Sequence, residues 1–170
     1  MDIFSHGLWG GLVTGRKHKK QFYASFIIGM LPDLIPFGIL FVLTFLGIVN
    51  LPAGQQNNVS GIPGYIFFLY AVTHSLIIFA IVFFVTFLIL KKFYLPFIAR
   101  FLHIIIDIPT HSLKFFPTPF LWPICDFKID GIPWSNPKIL ISDLIILFIL
   151  YSWIFVLKKK KQYYKNIKLK

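Results

Sequence analysis

Glutamate is absent from this chain of 170 residues, and cysteine occurs only once, as Cys125. All six acidic residues are therefore aspartates, which excludes a glutamate as catalytic base. The single thiol excludes an internal disulfide. Charge is also scarce, because 14% of the residues are charged, against about 25% in ordinary soluble domains. With 57% hydrophobic residues in addition, these shortages argue against a soluble domain and favour a lipid environment.

Long apolar runs give the fold class. Residues 65–90 carry no charge unless His74 is protonated, residues 34–49 carry none, and residues 139–157 are apolar except for Asp143 and a few small polar side chains. A helix needs roughly 20 apolar residues to cross the ~30 Å hydrocarbon core. The runs are too long for strands, and a membrane barrel would alternate in polarity. The sequence therefore predicts an all-α, polytopic helical membrane protein.

Basic clusters flank the apolar runs and predict the orientation. Lysine and arginine concentrate in residues 16–20, 91–92 and 158–170, which the positive-inside bias assigns to the cytoplasm. The uncharged segment 50–64 and the nearly charge-balanced, proline-rich segment 114–138 are then loops on the outer side. The net charge of +11 is explained by membrane flanks and anionic headgroups. No aromatic and basic module accompanies it, so nucleic acid is not an expected partner.

This orientation predicts about four transmembrane helices and a cytoplasmic C-terminus. The expected spans are 21–49, 65–90, 94–111 and 139–157. The first is interrupted by Pro32 and Pro36, so it is either one kinked span or two half-helices. Residues 1–15 form a short extra helix. We expect one membrane domain over 1–157, followed by a basic tail over 158–170; the oligomeric state stays open.

Ionisable side chains in the apolar segments need an explanation, because such groups are costly in a bilayer and tend to be functional. These side chains are His6, Asp33, His74, His103 and Asp107. His103 and Asp107 are four residues apart, so they share one face of their helix. The predicted topology places all of these side chains at a similar depth in the outer half of the membrane.

Each of these residues also has an ordinary explanation. His74 can simply bond to a neighbouring helix, His103 and Asp107 can form a neutralised pair, Asp33 can cap a helix after Pro32, and His6 can lie at the interface. Taken together, however, the residues favour one metal site. Imidazole and carboxylate ligands suit zinc, or manganese or iron, with an open position for water. A bound metal lowers the pKa of that water towards ~7 and so makes a nucleophile.

Three further side chains complete the predicted site. Thr73 and Ser75 flank His74 and either orient the ligands or bond back to their own helix. His111 continues the face of His103 and Asp107 by one more turn, beyond Pro109. It is a candidate catalytic base, and the alternatives are a spare aspartate or the metal hydroxide alone. We therefore predict catalytic roles for Thr73, Ser75 and His111.

Several short motifs, in this order, resemble the YdjM-like family of membrane-bound, metal-dependent hydrolases. The matching pieces are Ser5-His6-Gly7, Gly29-Met30-Leu31-Pro32-Asp33, Thr73-His74-Ser75-Leu76, His103-Ile104-Ile105-Ile106-Asp107 and Phe120-Leu121-Trp122-Pro123. The resemblance implies a hydrolase of the bacterial inner membrane with ligands at His6, Asp33, His74, His103 and Asp107. The pattern is more loosely similar to zinc-dependent phospholipase C, which implies phosphoester chemistry.

The chain departs from the family at one position, because Leu69-Tyr70-Ala71-Val72 precedes the threonine where the family usually has His-Arg-Gly. The arginine that would contact an anionic substrate is missing; Arg100 and Lys114 are the nearest basic residues, and Arg100 is either a substrate contact or a membrane anchor.

Three functions are compatible with the sequence. The first is a hydrolase acting on an ester or phosphoester of lipid origin. The second is a transporter or ion-coupled protein that uses the same histidines and aspartates as a path. The third is a non-catalytic membrane protein that has kept the fold.

Overall fold

The computed structural model describes residues 1–16, 18–50 and 61–168. Over these ranges the chain contains α-helices, turns and one isolated bridge between Ser112 and Phe115, which confirms the all-α prediction. The helices are α1 (Ile3–Thr14), α2 (Lys19–Phe45), α3 (Gly64–Thr73), α4 (Leu76–Leu90), α5 (Phe97–Thr110) and α6 (Pro137–Lys168).

Two of these helices are long and apolar enough to cross a membrane, namely α2 and the Pro137–Leu157 part of α6. Helices α3 and α4 together pass the same test but are bent by 57° at a short break, so they provide a third span at most. Helix α5 has 14 residues and a length of about 21 Å, which is short of the ~30 Å core. Among the described residues, two or three segments are thus able to span a membrane, which indicates a membrane protein, and the predicted four spans are not confirmed.

Helices α1 and α2 pack closely through glycines. A Cβ atom at Gly10 would lie 2.6 Å from the Ser25 carbonyl oxygen, and one at Gly29 would lie 2.7 Å from the His6 carbonyl oxygen. Small residues at such crossings let helix backbones approach each other within a membrane. The crossing fixes His6 of α1 beside the middle of α2, where Asp33 is located.

Helix α2 runs without interruption through Pro32 and Pro36, both of which are buried. Of the two arrangements expected from the sequence, the single span is therefore correct and the pair of half-helices is wrong. Asp33 lies in the interior of α2, so it does not cap a helix.

The predicted helix over 65–90 is wrong in one respect, because it breaks at His74 and Ser75. Ser75 has an extended backbone and caps α4 by accepting a hydrogen bond from the Ile78 amide at 3.1 Å. Serine is a favoured N-cap because its oxygen takes up an amide hydrogen that the helix leaves unpaired. His74 is consequently at the junction of two helices rather than inside one.

Loop residues and Arg100 supply the remaining hydrogen bonds at this break. The Leu76 amide donates to the Phe120 carbonyl at 2.9 Å, and the Ser75 hydroxyl donates to the Trp122 carbonyl. Arg100 donates to the carbonyl oxygens at the end of α3, at 3.1 and 3.2 Å. Arg100 therefore acts as a helix cap, which differs from both roles considered from the sequence.

The segment 114–138 is an ordered loop that packs against the end of α5. Its backbone amides donate to three α5-end carbonyls: Gly131 to His111 at 2.8 Å, Ile132 to Pro109 at 2.9 Å, and Trp134 to Thr110 at 2.9 Å. Phe116 is buried, and its carbonyl accepts from the Tyr70 hydroxyl at 2.9 Å.

Two further predictions concern the loop 50–64 and the last helix. Residues 51–60 of the predicted loop 50–64 lie outside the described residues. Helix α6 continues to Lys168, and its apolar part ends at Leu157, where the predicted fourth span ends. The sidedness of the chain is not tested and remains a prediction.

Candidate metal centre

A buried group of histidines and aspartates joins three helices. His6 comes from α1, Asp33 from α2, and His103 and Asp107 from α5. Each offers one ligand atom, and these atoms all lie within 4.8 Å of one another. The group can therefore hold a metal ion.

His74 joins this group from the junction of α3 and α4. Its Nε2 atom lies 3.3 Å from Asp33 Oδ1, 3.4 Å from Asp107 Oδ2 and 3.0 Å from His103 Nε2. The structure thus brings together all the residues that the sequence predicted as ligands, although they come from four separate segments.

The spacing of these atoms fits coordination. Ligands at 2.0–2.1 Å from a tetrahedral zinc ion are roughly 3.3 Å from each other. The distance from His6 Nε2 to Asp107 Oδ1 is 2.9 Å, and that from His103 Nε2 is 3.1 Å to Asp107 Oδ2 and 3.8 Å to Asp33 Oδ1. These distances lie near that value, so they are compatible with one shared cation.

Backbone carbonyls determine which ring nitrogens face the cluster. His103 Nδ1 lies 2.6 Å from the Gly29 carbonyl oxygen, and His74 Nδ1 lies 3.0 Å from the Tyr70 carbonyl oxygen. A carbonyl oxygen only accepts hydrogen bonds, so each Nδ1 carries the hydrogen. Both Nε2 atoms then direct lone pairs at each other, and a cation between them removes the repulsion. Ligating histidines are commonly oriented in this way by a carbonyl on the other nitrogen.

Several polar atoms in the cluster have no hydrogen-bond partner among the described residues. They are both ring nitrogens of His6 and Oδ2 of Asp107, all of which are buried. Buried polar groups are nearly always hydrogen-bonded, so unpaired ones require an explanation. A divalent cation would give His6 and Asp107 a partner, so the residues present fit such an ion.

The two carboxylate oxygens of Asp107 have different neighbours. Oδ1 is 2.6 Å from the amino nitrogen of Met1, which also lies 3.4 Å from Thr110 Oγ1. Oδ2 faces the Nε2 atoms of His74 and His103. Oδ2 is therefore the oxygen best placed for a cation shared with these rings.

The three predicted catalytic residues have different environments. Thr73 donates back to the Leu69 and Tyr70 carbonyls, and its hydroxyl is also 3.0 Å from His74 Nδ1, so it both bonds to its helix and supports the ring. Ser75 connects the helix break to the following loop. His111 is buried, with Nδ1 3.2 Å from the carbonyl oxygen and 3.5 Å from Oδ1 of Asp107.

Two cavities adjoin this group. The larger, of about 410 Å³, is lined by Met1, Asp2, Ile3, Phe4, Asp33, Phe37, His111, Phe115, Phe116 and Trp134. The smaller, of about 290 Å³, is lined by Thr110, His111, Ser112, Phe115, Pro133, Trp134 and Ser135. Asp33 and His111 connect the larger cavity to the metal-ligand cluster, so a molecule in that cavity would reach it.

The sequence did not predict two groups that organise the centre. Tyr70 stacks on His74 with ring centroids 3.8 Å apart, and the Gly29 carbonyl orients His103. The four-residue spacing of Tyr70 and His74 is a signal that could have predicted the contact between these two rings.

No protein-family model, curated protein or solved structure matches the chain significantly, so the family resemblance remains a prediction.

Proposed function

We propose that the chain is an integral membrane hydrolase that uses a divalent cation to cleave an ester or phosphoester. The observation that carries the proposal is the pair of facing Nε2 atoms of His74 and His103, at 3.0 Å, beside two buried carboxylates. The donor set of imidazoles and carboxylates suits zinc best, with manganese and iron as alternatives. The resemblance to the YdjM-like family points to the same chemistry and to a bacterial inner membrane.

The proposed ligands are His6, Asp33, His74, His103 and Asp107. When bound, the cation supplies a water that is acidic enough to act as a nucleophile near neutral pH. The Gly29 and Tyr70 carbonyls hold two of the rings with Nε2 towards the centre, so these ligands are oriented before the cation binds.

His111 is the proposed proton carrier. Its Nδ1 atom faces the Asp107 carbonyl oxygen at 3.2 Å and therefore carries the hydrogen, which leaves Nε2 as the atom that can take up a proton. His111 lines both cavities, so it contacts the space where a substrate would lie. The chain has no glutamate that could take this role. We assign Thr73 and Ser75 to positioning His74 rather than to contact with the substrate.

A transporter is the main alternative, and close helix packing weighs against it. A transporter needs a polar route that continues beyond the cluster. Gly29, whose carbonyl orients His103, has no room even for a Cβ atom against the His6 backbone. Asp33 and His111 line the larger cavity, so a substrate in that cavity would lie beside the centre.

Metal analysis tests the proposal. The protein is purified in lipid nanodiscs, and its content of zinc, manganese and iron is measured by mass spectrometry. The variant His103→Ala/Asp107→Ala removes two ligands from α5. The matched control, His18→Ala/Asp126→Ala, removes the same residue types at exposed positions outside the cluster.

We expect close to one metal per wild-type and control chain and almost none in the ligand variant. Hydrolysis of an ester panel and a phosphoester panel should follow the metal content. Equal metal in the ligand variant and the control would contradict the site. Stoichiometric metal without hydrolysis, together with metal flux into loaded vesicles, would favour the transporter.

A further inference from the structure

The two cavities share part of their lining. His111, Phe115 and Trp134 line both of them. His111 is the proposed proton carrier, so a molecule with one part in each cavity would place the bond between those parts beside it. The reacting bond would then join the part in one cavity to the part in the other.

The larger cavity is suited to a hydrocarbon chain. Its wall is mostly apolar, and Phe37 and Phe116 pack edge to face there with ring centroids 4.9 Å apart. At roughly 30 Å³ for each water-sized group, its volume of about 410 Å³ accommodates about a dozen methylene-sized groups. This volume fits one chain of medium length.

The smaller cavity differs in its polar groups. Thr110, Ser112 and Ser135 bring three hydroxyls to its lining. Neither cavity has a lysine or arginine side chain among its described lining residues. Phosphate-binding sites generally rely on such side chains. An uncharged, hydroxylated group therefore matches the smaller cavity better than a phosphate does.

We infer that the substrate is a single-chain carboxylic ester of an uncharged polyol, with its acyl chain in the larger cavity and its polyol in the smaller one. The inference rests on the proposed function. In the reaction, water adds to the acyl carbon and the bond from that carbon to the alcohol oxygen breaks. One proton of the water passes to the departing oxygen, and the products are a carboxylic acid and the free alcohol.

Binding is tested with probes that cannot be hydrolysed. Alkyl glycerol ethers with 4, 8, 12 or 16 carbons and a terminal bromine are added to the protein in nanodiscs, and quenching of Trp134 is followed. The variant Trp134→Phe identifies the signal of that residue. The alkyl chain of the probe moves into the cavity from the bilayer and not from water. The dependence of the affinity on alkyl length therefore reports how well the chain fits the cavity.

We expect the 12-carbon ether to bind at least about tenfold tighter than the 4-carbon ether, because a filled cavity adds dispersion contacts along the chain. The 16-carbon ether should bind more weakly than the 12-carbon one. Phe37→Ala enlarges the cavity and should move the optimum to 16 carbons. Phe41→Ala is the matched control, since Phe41 is 72% exposed on the same helix.

A second measurement compares cleavage of monoacylglycerols with that of the corresponding lysophosphatidic acids. We expect a preference of at least about tenfold for the uncharged headgroup, since neither cavity lining offers a lysine or arginine to an anion. Equal cleavage, or a preference for the phosphate compound, would overturn the assignment of the smaller cavity.

The outcomes separate this inference from the proposed function. Length-dependent quenching in a protein that neither holds metal nor hydrolyses esters would support the chain site and contradict the hydrolase. Metal-dependent hydrolysis with no quenching and no dependence on chain length would support the hydrolase and overturn the inferred substrate.

Discussion

The Nε2 atoms of His74 and His103 lie 3.0 Å apart, and each ring donates its Nδ1 hydrogen to a backbone carbonyl, so that both Nε2 atoms carry lone pairs. Two lone pairs at this distance repel each other unless a proton or a metal cation lies between them. A proton between the rings would agree with the ordinary explanation in which His103 and Asp107 form a neutralised pair. A cation between them would agree with the proposed enzyme. Asp33 and Asp107 stabilise either positive species, so measurements of metal decide between the two.

Removal of the metal should destabilise the protein. A ligand that binds only the folded state at 100 times its Kd adds about 2.7 kcal/mol, which corresponds to roughly 5–10 °C in a chain of this size. We expect chelation to lower the Tm of the wild type by that amount and to leave His103→Ala/Asp107→Ala unchanged. Differential scanning calorimetry in nanodiscs measures both. An identical shift in the two proteins would show that the chelator acts elsewhere.

His74→Ala should weaken metal binding at least tenfold, as measured by competition with a chelator of known affinity, since substitutions beyond the direct ligands already cost about 10- to 100-fold. Thr73→Ala serves as the comparison, because it removes only one contact to the ring and leaves the Tyr70 carbonyl bonded to Nδ1. Its effect should be clearly smaller. If both variants bind metal like the wild type, His74 is not a ligand.

Gly29→Ala should disrupt the centre without changing any ligand. Its Cβ atom would lie 2.7 Å from the His6 carbonyl oxygen, so α1 must move away from α2. We expect a loss of about 1–3 kcal/mol in unfolding free energy, as for other overpacked sites, together with reduced metal content. Gly38→Ala on the same helix meets only Leu34, at 3.6 Å, and should keep both properties. Full metal content in Gly29→Ala would contradict this role of the helix crossing.

Ser75→Ala should destabilise the helix break. It removes the cap on the Ile78 amide and the bond to the Trp122 carbonyl, and loss of an N-cap costs about 1 kcal/mol. Thr86→Ala in the same helix removes only a bond to the Val82 carbonyl and should change stability by less than about 0.5 kcal/mol. Equilibrium unfolding in mild detergent compares them. Equal effects would mean that Ser75 is not a structural cap.

Cys125 reports the predicted orientation, because it is exposed and is the only cysteine. An impermeant maleimide should label it on intact bacterial spheroplasts if the segment 114–138 faces outward. Cys125→Ser/Lys159→Cys moves the thiol to α6, beyond its apolar part, and should react only after lysis. The opposite pattern would invert the topology.

The features that the sequence predicted correctly are local ones. Apolar runs show that residues such as 34–49 avoid water, and a four-residue spacing places His103 and Asp107 on one helix face. Both properties can be predicted because they depend on residues that are close together in the chain. The break at His74 could not be predicted in this way. The carbonyl that accepts from the Leu76 amide belongs to Phe120, and nothing in the run 65–90 indicates that partner.

Hydropathy and charge act segment by segment, so the sequence alone indicates a helical membrane protein with a few ionisable side chains in apolar segments. The packing of the helices brings His6 and Asp33 together across the glycine contacts of α1 and α2. It also places His74 beside Asp33, at a helix break that is hydrogen-bonded to a loop distant in sequence. The reason is physical: a shared centre depends on distances between segments, and packing sets those distances.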